Sequence, residues 1–267
     1  MILSVDFEIV FGGLCYDRVE YVLDTIKGFG IDTYELWNHR LHDIQKIKTA
    51  ADERGMAISG ISGNRDYNLL EKDDRKGLFA QLDENIDAVK QLGGSNLSIL
   101  TECLCEEDLS VRPTKKPMGK VQKILAAMDG LAACAEYIEG KKITLNLETL
   151  NSIVDHAGYF MTDVDMAMDI LREVNSPNLK WLCDVYHMQI MEGNILHQME
   201  KYYDLIGMVH ISDVPGRHEP GTGEINFRSI ARYLESNDYK GYVTLECSPS
   251  DGNPGTAIKS FVEAFSV

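Results

Sequence analysis

Lys142-Ile143-Thr144-Leu145-Asn146-Leu147-Glu148 is a short run of strand-forming residues that ends on a carboxylate. The pattern recurs three times downstream. Trp181-Leu182-Cys183-Asp184 ends on Asp184, Gly207-Met208-Val209-His210 on His210, and Tyr242-Val243-Thr244-Leu245-Glu246 on Glu246. Short runs rich in β-branched and aliphatic residues favour strands. Between them lie longer stretches whose apolar residues recur every three or four positions, as on one face of a helix.

The rhythm extends over the whole chain. Strands are expected over 2–7, 32–37, 56–61, 96–100, 142–147, 179–183, 205–211 and 242–245. Helices are expected over 18–29, 41–54, 73–92, 120–138, 163–174, 188–203, 226–235 and 256–265, the sixth with Gly193 inside its pattern. The stretch 73–92 illustrates the reading: Leu78, Leu82, Ile86 and Val89 share one face, and Gly93-Gly94 stops the helix. The polar segment 106–119, with Pro113 and Pro117, reads as a long loop. Alternating strands and helices imply a parallel sheet covered by helices. Eight such pairs in 267 residues, close to the roughly 250 typical of the fold, point to an α/β chain folded as one (β/α)8 TIM barrel, a single domain over 1–267. No G-x-G-x-x-G opens the first strand–helix turn, which argues against a dinucleotide site.

Composition narrows the function. Hydrophobic residues make up 44% of the chain, enough for a large core. The formal net charge of −16 opposes binding to a phosphate backbone, so no nucleic-acid partner is expected. No apolar stretch approaches the roughly 18 residues that would span a bilayer, so no membrane association is expected either. The six cysteines are Cys15, Cys103, Cys105, Cys134, Cys183 and Cys247. The sequence begins at Met1 with no basic, then apolar, leader, so reduced thiols and a cytoplasmic setting are expected.

In a parallel barrel the C-terminal strand ends face the active-site mouth. Four successive ends carry Glu148, Asp184, His210 and Glu246. Carboxylates rarely follow apolar strand cores without a partner. Three carboxylates and one imidazole would together carry about −3, a repulsion that one divalent cation among them relieves. Oxygen-rich ligation with one nitrogen suits Mn2+, Mg2+ or Co2+ better than a structural zinc. His187 follows Asp184 by three residues, at the start of the next helix. Arg217 lies in the charged, glycine- and proline-rich segment 213–224, where its fork could bind a hydroxyl, carboxylate or phosphate.

Two stretches carry a resemblance. Leu182-Cys183-Asp184-Val185-Tyr186-His187-Met188-Gln189-Ile190-Met191-Glu192-Gly193-Asn194 and the segment from His210 to Asn226 resemble the hydroxypyruvate isomerase family. That family belongs to the xylose isomerase-like TIM-barrel superfamily, which also holds the ketose 3-epimerases and endonuclease IV. The resemblance is strongest from Lys142 to Glu246; the first half matches only in its barrel rhythm. It implies that Glu148, Asp184, His210 and Glu246 ligate the metal, that Glu148 and Glu246 are the catalytic glutamates, and that His187 and Arg217 hold substrate oxygens. Endonuclease IV relatives need further ligands, which include histidines at the third and fourth strand ends. Here those ends read Gly60-Ile61-Ser62 and Leu100-Thr101-Glu102, and Gly216 stands where an Asp would precede Arg217-His218.

The expected chemistry is proton transfer next to a carbonyl through an enediolate, one glutamate removing the carbon-bound proton. Its return to the neighbouring carbon isomerises hydroxypyruvate or a related small hydroxy-carbonyl compound. Its return to the other face of the same carbon would make a ketose 3-epimerase, which, with another sugar isomerase that shifts the proton between neighbouring carbons, is the alternative reading. A keto-sugar lyase and a non-catalytic sugar-binding barrel rank lower. Barrels of this kind associate through their outer helices, so a homo-oligomer is expected.

Overall fold

Strands of a parallel barrel are buried on both faces, so their sequences lack the clean apolar–polar alternation of a half-exposed sheet. In the computed structural model, which describes residues 1–266, the runs become β1 (Ile2–Asp6), β2 (Thr33–Leu36), β3 (Ala57–Ser62), β4 (Asn96–Ile99), β5 (Thr144–Glu148), β6 (Leu179–Asp184), β7 (Ile206–Ile211) and β8 (Tyr242–Leu245). They form a closed parallel barrel in chain order from β1 to β8. The helices are α1 (Phe7–Phe11), α2 (Leu14–Asp17), α3 (Val19–Gly28), α4 (Ile44–Glu53), α5 (Arg75–Gln91), α6 (Lys120–Tyr137), α7 (Val164–Val174), α8 (Val185–Met191), α9 (Ile195–Lys201), α10 (Phe227–Ser236) and α11 (Pro254–Phe265). The (β/α)8 expectation is met.

Two departures from the sequence reading have local causes. Phe7 is helical rather than extended, because the Asp6 carboxylate accepts the Ile9 N–H at 2.7 Å and caps a short helix there. The helix expected over 188–203 is two helices, α8 and α9. Gly193 and Asn194 between them sit at φ +66° and +51°, a left-handed conformation that a right-handed helix cannot run through. Segment 106–119 is a loop, as expected.

The chain divides into two compact units. One holds Met1–Ile61, Ala88–Gly94 and the chain from Met208 onward. Its strand register pairs Ser4 with Thr33 and with Thr244, and Thr244 with His210. Asp6 pairs with Glu35 two positions along, on the same sheet face. Hydroxyls bridge this polar level: Ser4 Oγ lies 2.8 Å from Ser59 Oγ, and Thr244 Oγ1 donates to Glu35 at 2.6 Å.

The other unit holds Ser62–Asp87 and Ser95–Gly207. Ile99, Leu147 and Trp181 stand in register, all fully buried. On the opposite face Ser98, Asn146 and Lys180 align. Its helices begin at strong caps. At α7 the Asp163 carboxylate accepts the Met166 N–H at 2.8 Å, and Ala167, Met168 and Leu171 form the buried stripe.

Candidate active site

Glu148 and Asp184 close β5 and β6 in one unit. Asp184 is 1% exposed and caps α8: its Oδ1 accepts the N–H groups of Tyr186 at 2.8 Å and His187 at 3.1 Å. One turn of the new helix therefore orients the carboxylate, and the partial positive charge of the helix start favours its ionised form. The same turn brings the His187 Nε2 to 3.6 Å from Asp184 Oδ2. The other ring nitrogen, Nδ1, accepts the Asn151 backbone N–H at 3.2 Å.

In the other unit, His210 near the end of β7 and Glu246 just after β8 are held by charges. His210 Nε2 lies 3.0 Å from Glu35 Oε1, and His210 Nδ1 lies 3.4 Å from Glu246 Oε2. Burial alone would lower the basicity of the His210 imidazole, but the carboxylates of Glu35 and Glu246 outweigh it and hold its pKa well above the ordinary value. The Arg217 guanidinium makes a hydrogen-bonded ion pair with Glu246 Oε2. Asp6, also buried here, is pushed well above the usual carboxylate range, first by burial and then by the charges of Glu8 and Glu246.

Arg217 is presented by a loop knotted around one side chain. Asp213 is fully buried, and its carboxylate accepts four backbone N–H groups. They come from Val214 and Ile225 on Oδ1, at 2.9 and 3.0 Å, and from Gly221 and Gly223 on Oδ2, at 3.0 and 2.8 Å. Gly223 cannot be another residue without displacement, because a Cβ there would run into the Val214 carbonyl oxygen and Asp213 Oδ1. Arg217 itself takes a left-handed φ of +55°, a conformation costing a non-glycine residue about 1–3 kcal/mol. The Ser248 N–H bonds its carbonyl at 2.9 Å and holds it there.

Glu148, Asp184, His210 and Glu246 are all buried, each offers one ligand atom, and these atoms lie within 4.8 Å of one another. A dication binds by replacing its water shell with just such a set of carboxylate oxygens and one imidazole nitrogen, so the donor chemistry fits a divalent metal. All four expected ligand positions are thus brought together. Of the two residues expected beside them, His187 approaches Asp184 and Arg217 contacts Glu246.

A family model for the xylose isomerase-like TIM barrel matches residues 23–264. The chain belongs to this family. Among its xylose isomerase-like relatives, the hydroxypyruvate isomerase of Escherichia coli (strain K12) is 32% identical over 211 residues, which cover 79% of this chain and 73% of the relative. The 3-dehydro-D-guloside 4-epimerase of the same organism is 26% identical over 225 residues, covering 83% and 84%. A solved structure described as AP endonuclease, family 2, from Brucella melitensis superposes with a TM-score of 0.84 at 20% identity, covering 98% of both chains, and speaks to the fold alone. Membership and the named relatives make the chain an enzyme of the isomerase class. No helix among the described residues is long and apolar enough to cross a membrane.

Sequence reasoning passed over Glu35, Asp6 and Asn151. Asp6 and Glu35 carried the signal used for the strand ends, a carboxylate within or closing an apolar run: Leu3-Ser4-Val5-Asp6 and Tyr34-Glu35-Leu36. Asn151 carried none, being one polar residue in a loop.

Proposed function

We propose that this chain is a divalent-metal-dependent isomerase of hydroxypyruvate or a related small hydroxy-carbonyl compound. The observation that carries the reading is the convergence of two buried glutamates with Asp184 and His210. The hydroxypyruvate isomerase from Escherichia coli, similar over most of both chains, supports the substrate class. This reading treats residues 1–267 as a single working domain.

Glu148, Asp184, His210 and Glu246 would hold the ion, Mn2+ or Mg2+ with Co2+ as a substitute. Such an ion supplies Lewis-acid stabilisation of negative charge on the substrate's carbonyl oxygen. The remaining work falls to this chain's own groups. One of Glu148 and Glu246 takes the proton from the carbon beside the carbonyl, giving an enediolate, and a carboxylate at that position acts as a general base. Arg217, with its planar fork, binds the substrate carboxylate while paired with Glu246. His187 donates its Nε2 proton to a substrate oxygen. In the isomerisation of hydroxypyruvate a proton leaves C3, a proton arrives at C2, and the hydroxyl proton moves from O3 to O2. Atoms and electrons balance without an oxidant.

The test is proton NMR in D2O with the Mg2+-loaded protein and a panel of hydroxypyruvate, tartronate semialdehyde, tetroses, pentoses and hexuloses, with Glu246→Gln as control. Deuterium entering C2 or C3 of the three-carbon acids, and absent in the control, supports the isomerase. A second reading, a ketose 3-epimerase or another sugar isomerase, is favoured by the similarity to the 4-epimerase from Escherichia coli; exchange at C3 of a ketose alone would put it first. Exchange in no compound, with metal bound, would sink both.

A further inference from the structure

The segment after β5 contains a hydrogen-bonded chain that the proposed chemistry does not use. Asn151 is fully buried. Its Oδ1 accepts the backbone N–H groups of Val154 at 3.0 Å and Asp155 at 2.9 Å. Its Nδ2 donates to Asp155 Oδ2 at 2.9 Å and lies 2.8 Å from His187 Nδ1. The Tyr186 hydroxyl donates to the same Asp155 oxygen at 2.8 Å.

This network admits one orientation of the amide. Turned over, Asn151 would set its oxygen against the Asp155 carboxylate and its NH2 against two backbone N–H groups. With the amide fixed, both hydrogens of Nδ2 have assigned acceptors, one of them His187 Nδ1. The Asn151 backbone N–H donates to that nitrogen as well, at 3.2 Å. A ring nitrogen that receives two N–H donors carries a lone pair and no proton. The neutral imidazole therefore holds its hydrogen on Nε2, the nitrogen 3.6 Å from Asp184 Oδ2. His187 is 1% exposed, so water offers no competing partner that would exchange the tautomers. The His156 ring, 5.1 Å away centre to centre, packs beside the imidazole.

We infer that Asn151 is a positioning residue that fixes His187 as the Nε2–H tautomer, with Tyr186 and Asp155 holding the Asn151 amide in its one workable orientation. The inference deepens the proposed function, resting on its assignment of His187 as a donor to substrate oxygen. A histidine that must donate one hydrogen needs its second nitrogen committed elsewhere, and an amide does this without adding charge beside the metal-binding carboxylates.

The test has a spectroscopic arm that needs no substrate. Two-bond 1H–15N correlation spectra of 15N-histidine-labelled protein resolve the protonation of each ring nitrogen, and His187→Gln assigns the signal among seven histidines. The wild type is expected to show Nδ1 bare and Nε2 protonated. Asn151→Asp puts a second carboxylate against Nδ1 and is expected to place a proton there. Asp155→Asn keeps an oxygen for Tyr186 and Asn151 and is expected to retain the wild-type signal, which covers the case in which Asn151→Asp fails to fold. In turnover, Asn151→Asp should lower kcat/KM by about 10–100-fold, chiefly through kcat, but by less than about twofold in a His187→Gln background, where the two sites no longer couple. A protonated Nδ1 in the wild type, or an unchanged His187 signal in folded Asn151→Asp, overturns the inference. If no compound is turned over at all, the proposed function fails while the tautomer measurement still decides this inference.

Discussion

Asp184 and His210 belong to successive strands, β6 and β7, yet they are held in different ways. Around Asp184 the supports are neutral dipoles: two helix-start N–H groups, with the Asn151 amide behind His187. Around His210 and Glu246 they are full charges, Glu35 on one side and Arg217 on the other. Fixed N–H dipoles orient a carboxylate and favour its charge at short range, whereas full charges act more strongly, and the raised pKa of His210 is the result. A substitution near β6 therefore acts mainly through geometry, and one near β7 or β8 through electrostatics as well.

Four substitutions sharpen or break this contrast. The largest effect is expected at Glu246→Gln, which keeps the shape but removes both a proposed proton-transfer group and the partner of Arg217. Deuterium exchange should fall by about 10²–10⁴-fold. A loss below tenfold would show that Glu246 neither takes the proton nor receives it. Asp213→Asn comes next. An amide can accept at only one of its two positions and brings its own N–H groups against the loop's donors. Urea unfolding should show a loss of about 2–3 kcal/mol, with Arg217-dependent binding weakened as well.

Glu35→Gln tests the charged side directly. It removes the negative charge that faces His210 and leaves Asp184 untouched. Metal affinity, followed by competition with a chromophoric chelator at fixed pH, should drop by about 10–100-fold. An unchanged affinity would mean that Glu35 only fills space, and the contrast with β6 would collapse. The smallest effect belongs to Asp163→Ala, at the start of α7. Losing the cap of α7 should cost about 1 kcal/mol in urea and leave metal affinity as it was.

The sequence carried the barrel and the four clustered strand-end side chains because both are written locally. A strand end needs only its own run of residues, as in Thr144 to Glu148, and an N-cap needs only the turn that follows it. What stayed hidden depends on pairings between distant residues. Glu35 matters because it meets His210, 175 positions away, and Thr244, 209 away. No periodicity encodes such a meeting. The split between α8 and α9 lies between these cases: Glu192-Gly193-Asn194 contained the signal, but glycine alone inside a helical pattern is tolerated often enough to be read through. Helices α1 and α2 escaped because four or five residues are too few to display a period.

The knot around Asp213 has a consequence of another kind. All four of its N–H donors come from residues 214–225, so the segment satisfies its own anchor. Such a segment behaves as a cassette. The Arg217 side chain at its tip can be exchanged for others without unravelling the turns around Asp213, provided that the Ser248 bond to the 217 carbonyl is kept. Diversity in what a barrel grips can thus arise by editing the side chain at 217 while the knot stays constant.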